Sequence, residues 1–347
     1  SLEELVEQFL EQCRSGNAPE VSAFAAAHPG HASELLNLLP LVLEMEGLNA
    51  EITRRLPHQT SEVPELPDSD YRLIRRLGSG GTGVVFEALQ LSLNRKVAVK
   101  LLSPLLLKDT ARRVQFENEA RVIAMLHHPN IVKVFGAGCS AERCYYAMEF
   151  IGGRGLDRCE FSDPREIARI GLQAARALAY AHRCGILHRD IKPANLLLDE
   201  AREVHVSDFG LAFVLRGGGE IVEKEEARSG TLRYMSPERL AHGVNTFATD
   251  QYSLGATLYE LVAKSPLLPE RNPGELAKRI CREPVPPLRC SAPDLAAIIN
   301  KCISFRPEDR YAGMDDLAAD LQHFLNHEPV CAAAPSPARR FRLWIKR

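Results

Sequence analysis

The segment Gly78-Ser79-Gly80-Gly81-Thr82-Gly83-Val84-Val85 constrains the fold of this chain more than any other, because it leads straight into a strand. Its glycines suit a backbone that must approach phosphate closely and turn N–H groups toward it. The same GxGxxG spacing opens a helix in dinucleotide-binding folds. Here Val84-Val85-Phe86-Glu87-Ala88 runs on as an apolar, β-branched strand. The motif therefore reads as a glycine-rich hairpin folding over a nucleotide. With no βαβ repetition along the chain, a dinucleotide-binding enzyme is set aside.

The hairpin opens a β-rich stretch. Tyr71-Arg72-Leu73-Ile74 precedes it, and Lys96-Val97-Ala98-Val99-Lys100 comes after. Residues 110–127 read as a helix, and 131–137 and 144–150 as strands. After residue 162 helical patterns dominate, beginning at Asp163-Pro164-Arg165-Glu166, where an acid caps the helix and proline takes its first position. Upstream, Leu2, Leu5, Val6, Phe9 and Leu10 share one helical face, and further periodic stretches follow Pro19 and His31. Residues 1–57 read as a small helical module, 58–69 as a proline-containing linker and 70–327 as the main domain. Residues 328–347 read as a basic tail. A core made by the first module alone is marginal at that length, so it either closes on itself, docks elsewhere or recruits a partner.

Composition excludes several classes. A net charge of −2 over 347 residues gives no basic field for nucleic acid. The 9 cysteines do not repeat at zinc-ligand spacing and are expected to be reduced thiols. No apolar run of about 18 residues spans a bilayer.

Chemistry-bearing residues concentrate beyond the hairpin. Lys100 ends an apolar strand, and Glu119 in the next helix is a possible partner for it. Read alone, both are equally consistent with solvated charges. His188-Arg189-Asp190-Ile191-Lys192-Pro193-Ala194-Asn195 is far more specific. Asp208-Phe209-Gly210 and Ser236-Pro237-Glu238 come later in the chain. With these four motifs in order, the chain resembles the protein kinase family over about residues 70–327, and most of all the bacterial receptor-type Ser/Thr kinases.

The resemblance implies an α+β, bilobal protein kinase fold, with a β-rich N-lobe and a helical C-lobe, preceded by the small helical module. It implies ATP as phosphoryl donor, Mg²⁺ as the metal (Mn²⁺ being the alternative) and proteins as acceptors. Asp190 is the expected catalytic acid–base group, and Lys192 the cation at the transferring phosphate. Lys100 is expected to hold the α- and β-phosphates with Glu119 positioning it. Asn195 and Asp208 supply hard oxygen ligands for the metal. Gly78, Gly80 and Gly83 would cover the phosphates. Leu77, Val85, Ala98 and Met148 would line the adenine site, with Glu149 and Ile151 offering backbone groups. Lys192 and Thr231 point to Ser/Thr rather than Tyr acceptors. Arg310 is expected to pair with Glu238, and Asp250 to lie beneath the catalytic loop.

The pattern departs from the family around its control segment. Arg189 beside Asp190 implies a phosphate in the activation loop. Yet between Phe209 and Thr231 the only other hydroxyl is Ser229, amid Glu220, Glu223, Glu225 and Glu226. Either Glu223 or Glu225 stands in for the phosphate, or the loop is simply solvated. At the other end, Arg339-Arg340-Phe341-Arg342-Leu343-Trp344-Ile345-Lys346-Arg347 resembles a juxtamembrane segment. A membrane span is expected just after Arg347, with the kinase on the cytoplasmic face of a bacterial inner membrane. Dimerisation stays open. The competing reading is a pseudokinase scaffold, which loss of Lys100, Asp190, Asn195 or Asp208 would favour; all four are present.

Overall fold

The computed structural model describes residues 66, 69–80, 83–102, 110–140, 143–209, 213–214, 221–222, 231–270 and 272–333, with scattered positions up to residue 39. The chain divides into two compact units. One holds residues 1–62 with 227–230, and the other holds 63–226 with 231–347. The first is described at few positions, among them a short helix, α1 (Val21–Ala26). Phe9 and Phe24 are buried and meet edge to face at 5.0 Å.

The second unit begins with a five-stranded antiparallel sheet: β1 (Tyr71–Gly80), β2 (Gly83–Gln90), β3 (Arg95–Leu102), β4 (Val134–Cys139) and β5 (Cys144–Glu149). Their spatial order is β1-β2-β3-β5-β4. The glycine-rich segment is indeed the β1–β2 hairpin, with Gly78 opposite Val85 and Gly80 opposite Gly83. Its glycines are needed for different reasons. A Cβ at Gly83 would collide with the Leu101 carbonyl of β3, so packing forbids one. A Cβ at Gly78 would meet nothing within 4 Å. Among the described residues no packing demand explains Gly78, which fits a backbone kept bare for a ligand. Helix α2 (Thr110–Ala124) packs beside β4 and β5.

Helices dominate thereafter: α3 (Pro164–Arg183), α4 (Pro237–His242), α5 (Phe247–Ala263), α6 (Pro273–Arg282), α7 (Pro293–Cys302) and α8 (Met314–Leu325). As its sequence signals, α3 is capped by Asp163, whose side chain accepts from Arg165 N–H at 2.9 Å, with Pro164 next. Helix α5 is buried almost continuously from Thr249 to Leu258, and α3, α5, α7 and α8 pack around one apolar core. Short strands accompany these helices. Strand β6 (Gly153–Gly155) precedes α3. Between α3 and α4 run β7 (Ile186–Leu187), β8 (Leu196–Asp199), β9 (Val204–Val206), β10 (Phe213–Val214) and β11 (Ile221–Val222). Strand β12 (Val244–Asn245) lies after α4. The β6-β8-β9 sheet and the β7-β10 pair frame the loops that carry the Asp190 and Asp208 motifs.

One expectation fails here. Cys139 and Cys144 are not separate thiols: they face each other across the β4–β5 hairpin, Cα atoms 4.1 Å apart, and their sulfurs are bonded. Strand register, invisible in a scattered cysteine count, brings them together. Among the described residues no helix is long and apolar enough to cross a membrane. The tail from residue 334 onward lies outside the described residues, as does most of the linker.

Candidate active site

The loop after β7 folds around Asp250, which α5 presents from below with no exposure. One Asp250 oxygen accepts from Arg189 N–H at 2.8 Å. The other accepts from His188 N–H at 2.9 Å and lies 2.8 Å from His182 Nε2. Burial alone would push this carboxyl up, but His182 and the His188 N–H hold it below the usual range. The clamp also stabilises Arg189 at φ 69°, a left-handed conformation that costs a non-glycine residue of order 1 kcal/mol or more. Burial drives the pKa of His188 down, so its imidazole is neutral at physiological pH. Its Nε2 lies 3.0 Å from the Ser207 carbonyl and its Nδ1 accepts from Asp190 N–H at 3.2 Å, which suits the Nε2–H tautomer.

Above this floor four polar side chains converge. Lys192 Nζ lies 3.2 and 2.9 Å from the two Asp190 oxygens and 3.1 Å from Thr231 Oγ1. Thr231 donates its hydroxyl to Asp190 Oδ1 at 3.0 Å. Asn195 Nδ2 donates to the Asp190 carbonyl at 2.7 Å and to Oδ2 at 3.0 Å. That bonding fixes which end of the amide is committed and orients its oxygen. The Ser207 N–H and hydroxyl both donate to the Asn195 carbonyl, tying the two loops together.

Asp208 sits next to this cluster, also at positive φ (56°). Its Oδ1 accepts from Lys100 Nζ at 2.9 Å. Burial opposes ionisation of Asp208, but Lys100, helped by His188 and Lys192, outweighs it and the carboxyl is held below the usual range. Lys100 is 5% exposed, with its ammonium 5.6 Å from the centre of the Tyr146 ring. In β5, Tyr146 lies opposite Lys100 and Met148 opposite Ala98. Leu77, Val85 and Ile151 are partly buried against the same core as Ala98 and Met148. The Glu149 N–H is committed to the Lys133 carbonyl at 2.8 Å. As a donor set, the Asn195 amide oxygen and the Asp208 carboxylate are hard oxygens that fit Mg²⁺ or Mn²⁺ and suit softer metals poorly.

The structure thus brings together Lys100, Asp190, Lys192, Asn195, Asp208 and Thr231. The Glu119 side chain lies outside the described residues, as do Glu223, Glu225 and Ser229. Arg189 is buried, its Nε 3.3 Å from Asn245 Oδ1, and its carbonyl accepts from Arg239. Glu238 and Arg310 form the expected bidentate pair at 2.7 and 2.9 Å. Sequence reasoning missed His182 and Ser207. The position of Ser207 directly before Asp208 was the one signal for it; nothing local marks His182.

The model of the protein kinase domain matches residues 71–328. The chain belongs to the protein kinase family. This kinase is 36% identical over 286 residues to the serine/threonine-protein kinase PknB of Mycolicibacterium smegmatis, covering 79% of the chain and 45% of that protein. It is 34% identical over 271 residues to PknB of Mycobacterium tuberculosis, covering 75% and 43%. The probable serine/threonine-protein kinase CE0033 of Corynebacterium efficiens is 34% identical over 281 residues, covering 76% and 42%. The kinase therefore spans less than half the length of these relatives. Its fold is the α+β protein kinase fold, and its domain is of the bacterial, eukaryotic-like Ser/Thr type, a family that uses ATP and a divalent metal.

Proposed function

We propose that this chain transfers the γ-phosphoryl group of ATP to Ser and Thr hydroxyls of proteins, itself included, in bacterial signal transduction. The observation that carries the reading is the cluster in which Lys192, Thr231 and Asn195 all bond to Asp190 (2.7–3.2 Å) beside the Lys100–Asp208 pair. Phosphoryl transfer requires positioning and charge neutralisation more than covalent chemistry.

Distinct tasks fall to these residues in this reading. Asp190, oriented by Asn195 and Thr231, orients the acceptor hydroxyl and takes its proton. Lys192 neutralises charge on the moving phosphoryl group. Lys100 holds the α- and β-phosphates, with Glu119 positioning it. Gly78, Gly80 and Gly83 cover the phosphates. Leu77, Val85, Ala98 and Met148 enclose the adenine, which bonds to the backbone at Glu149 and Ile151. Asn195 and Asp208 hold Mg²⁺, which when bound neutralises phosphate charge. Arg189 and the segment with Glu223, Glu225, Ser229 and Thr231 form the control region.

We divide the chain into the 1–57 module, the 58–69 linker, the 70–327 kinase domain and the 328–347 tail. The tail leads to a membrane span in the parent protein and leaves the kinase on the cytoplasmic face. Incubation with Mg-ATP and then mass-spectrometric mapping of phosphosites tests the reading. Phosphate on Ser and Thr is expected; phosphate confined to Tyr, or none, would refute it.

A further inference from the structure

We propose that Cys139 and Cys144 form a reversible, oxidant-driven disulfide that tunes the grip of this kinase on ATP; the part concerning ATP rests on the proposed kinase function. Cys139 is the last residue of β4 and Cys144 the first of β5, directly opposite in register. The six other described cysteines have no disulfide partner, so this pair is unique among the described residues. The two differ in access. Cys139 is exposed, whereas Cys144 is fully buried. An exposed thiol meets an oxidant first, and a buried neighbour within bonding reach resolves the product.

The chemistry balances with a peroxide-class oxidant. The Cys139 thiolate attacks one peroxide oxygen. An S–O bond forms as the O–O bond breaks, and the departing hydroxide is protonated to water. Cys144 then attacks the Cys139 sulfenic sulfur. The S–S bond forms as the S–O bond breaks, and the hydroxide released takes the Cys144 proton as a second water. The two sulfurs together lose two electrons and the peroxide gains them. A reducing thiol reverses the bond by exchange.

The bond reaches the site through packed side chains. Cys139 lines a groove between α2 and β4 with Phe116, Glu117, Ala120 and Arg121. The Phe116 ring packs on Tyr146 with centroids 5.1 Å apart. Tyr146 follows Cys144 by two residues in β5, stands opposite Lys100 and lies beneath its ammonium. The disulfide pins the far end of the strand that carries Tyr146 and one wall of the groove that Phe116 shares. The 2.9 Å contact of Lys100 with Asp208 belongs to the bonded form. In the proposal the bonded form is the tight-binding one, and reduction loosens the floor under Lys100.

The test compares wild type with Cys139→Ser, each reduced with dithiothreitol or treated with hydrogen peroxide. Trypsin cuts after Arg143, between the two cysteines, so a disulfide leaves the two peptides linked. Mg-ATP affinity is read by calorimetry, which needs no turnover. Peroxide should link the peptides in wild type and tighten Mg-ATP binding at least about fivefold, the low end of ordinary site-to-site coupling. Cys139→Ser should fold, bind like reduced wild type and ignore peroxide. Unlinked peptides after peroxide overturn the proposal. So does linkage with unchanged affinity, or an equal response in Cys139→Ser. Linkage without Mg-ATP binding in either state refutes the kinase reading, and the claimed control with it.

Discussion

Lys100 and Asp208 meet at 2.9 Å although they are separated by 108 residues, one from the sheet and one from the loop after β9. The pair joins the two halves of the domain at the point where phosphates and metal are expected. Lys100→Met should lower kcat/KM by about 10²–10³-fold, the usual loss when one preorganised charge is removed. It should also let burial push the Asp208 carboxyl up, because Lys100 is the chief influence holding it down. The acid limb of any residual activity should then move to higher pH, which a kcat–pH profile checks.

Thr231 bridges Asp190 and Lys192 at 3.0 and 3.1 Å. Thr231→Val keeps the shape and removes the hydroxyl. Hydrogen bonds to charged groups contribute about 1.5–3 kcal/mol, so kcat should fall roughly 10- to 150-fold. Thr231→Ser should recover most of it. Steady-state kinetics with a Ser-containing peptide checks both.

The motifs read as catalytic stand out in the sequence because each proposed task limits the residue types: hard oxygens for a metal, a lysine near phosphate, glycines where backbone must come close. The hairpin was legible because Val84-Val85-Phe86 keeps to strand composition. What stayed hidden depends on tertiary contact. The left-handed Arg189 and its clamp to Asp250 and His182 need α5 and α3 packed together, and no local pattern encodes that. The Cys139–Cys144 bond needs the register of two strands.

Arg310 is buried, and both its terminal nitrogens bond Glu238. Arg310→Met leaves that carboxylate without its partner. Breaking such a pair costs about 3–5 kcal/mol. For a domain of this size the melting temperature should drop by about 6–20 °C. Thermal unfolding checks this. A drop within about 2 °C would mean the pair contributes little.

Acid should weaken the fold in two steps. The folded pKa of His188 lies below its ordinary 6.5, so the unfolded chain binds a proton that the folded chain refuses. The stability this group supports is present above pH 6.5 and is lost as pH falls below it. The slope is at most about 1.4 kcal/mol per pH unit. Asp208 and Asp250 also have folded values below their ordinary 3.8, so their contributions persist above it and are lost as pH falls through the folded values. Urea unfolding at intervals from pH 7.5 to 5 should show falling stability, with a flatter curve in His188→Gln.

The central claim is that Asp190 sits at the reacting hydroxyl, held there by Lys192, Thr231 and Asn195. The most direct measurement is single-turnover phosphoryl transfer from Mg-ATP by wild type and Asp190→Asn at saturating ATP. The account predicts transfer by wild type, a fall of about 10²–10⁴-fold in rate for the variant, and nucleotide affinity nearly unchanged. Equal rates in the two proteins, or loss of nucleotide binding as the sole defect, would contradict it.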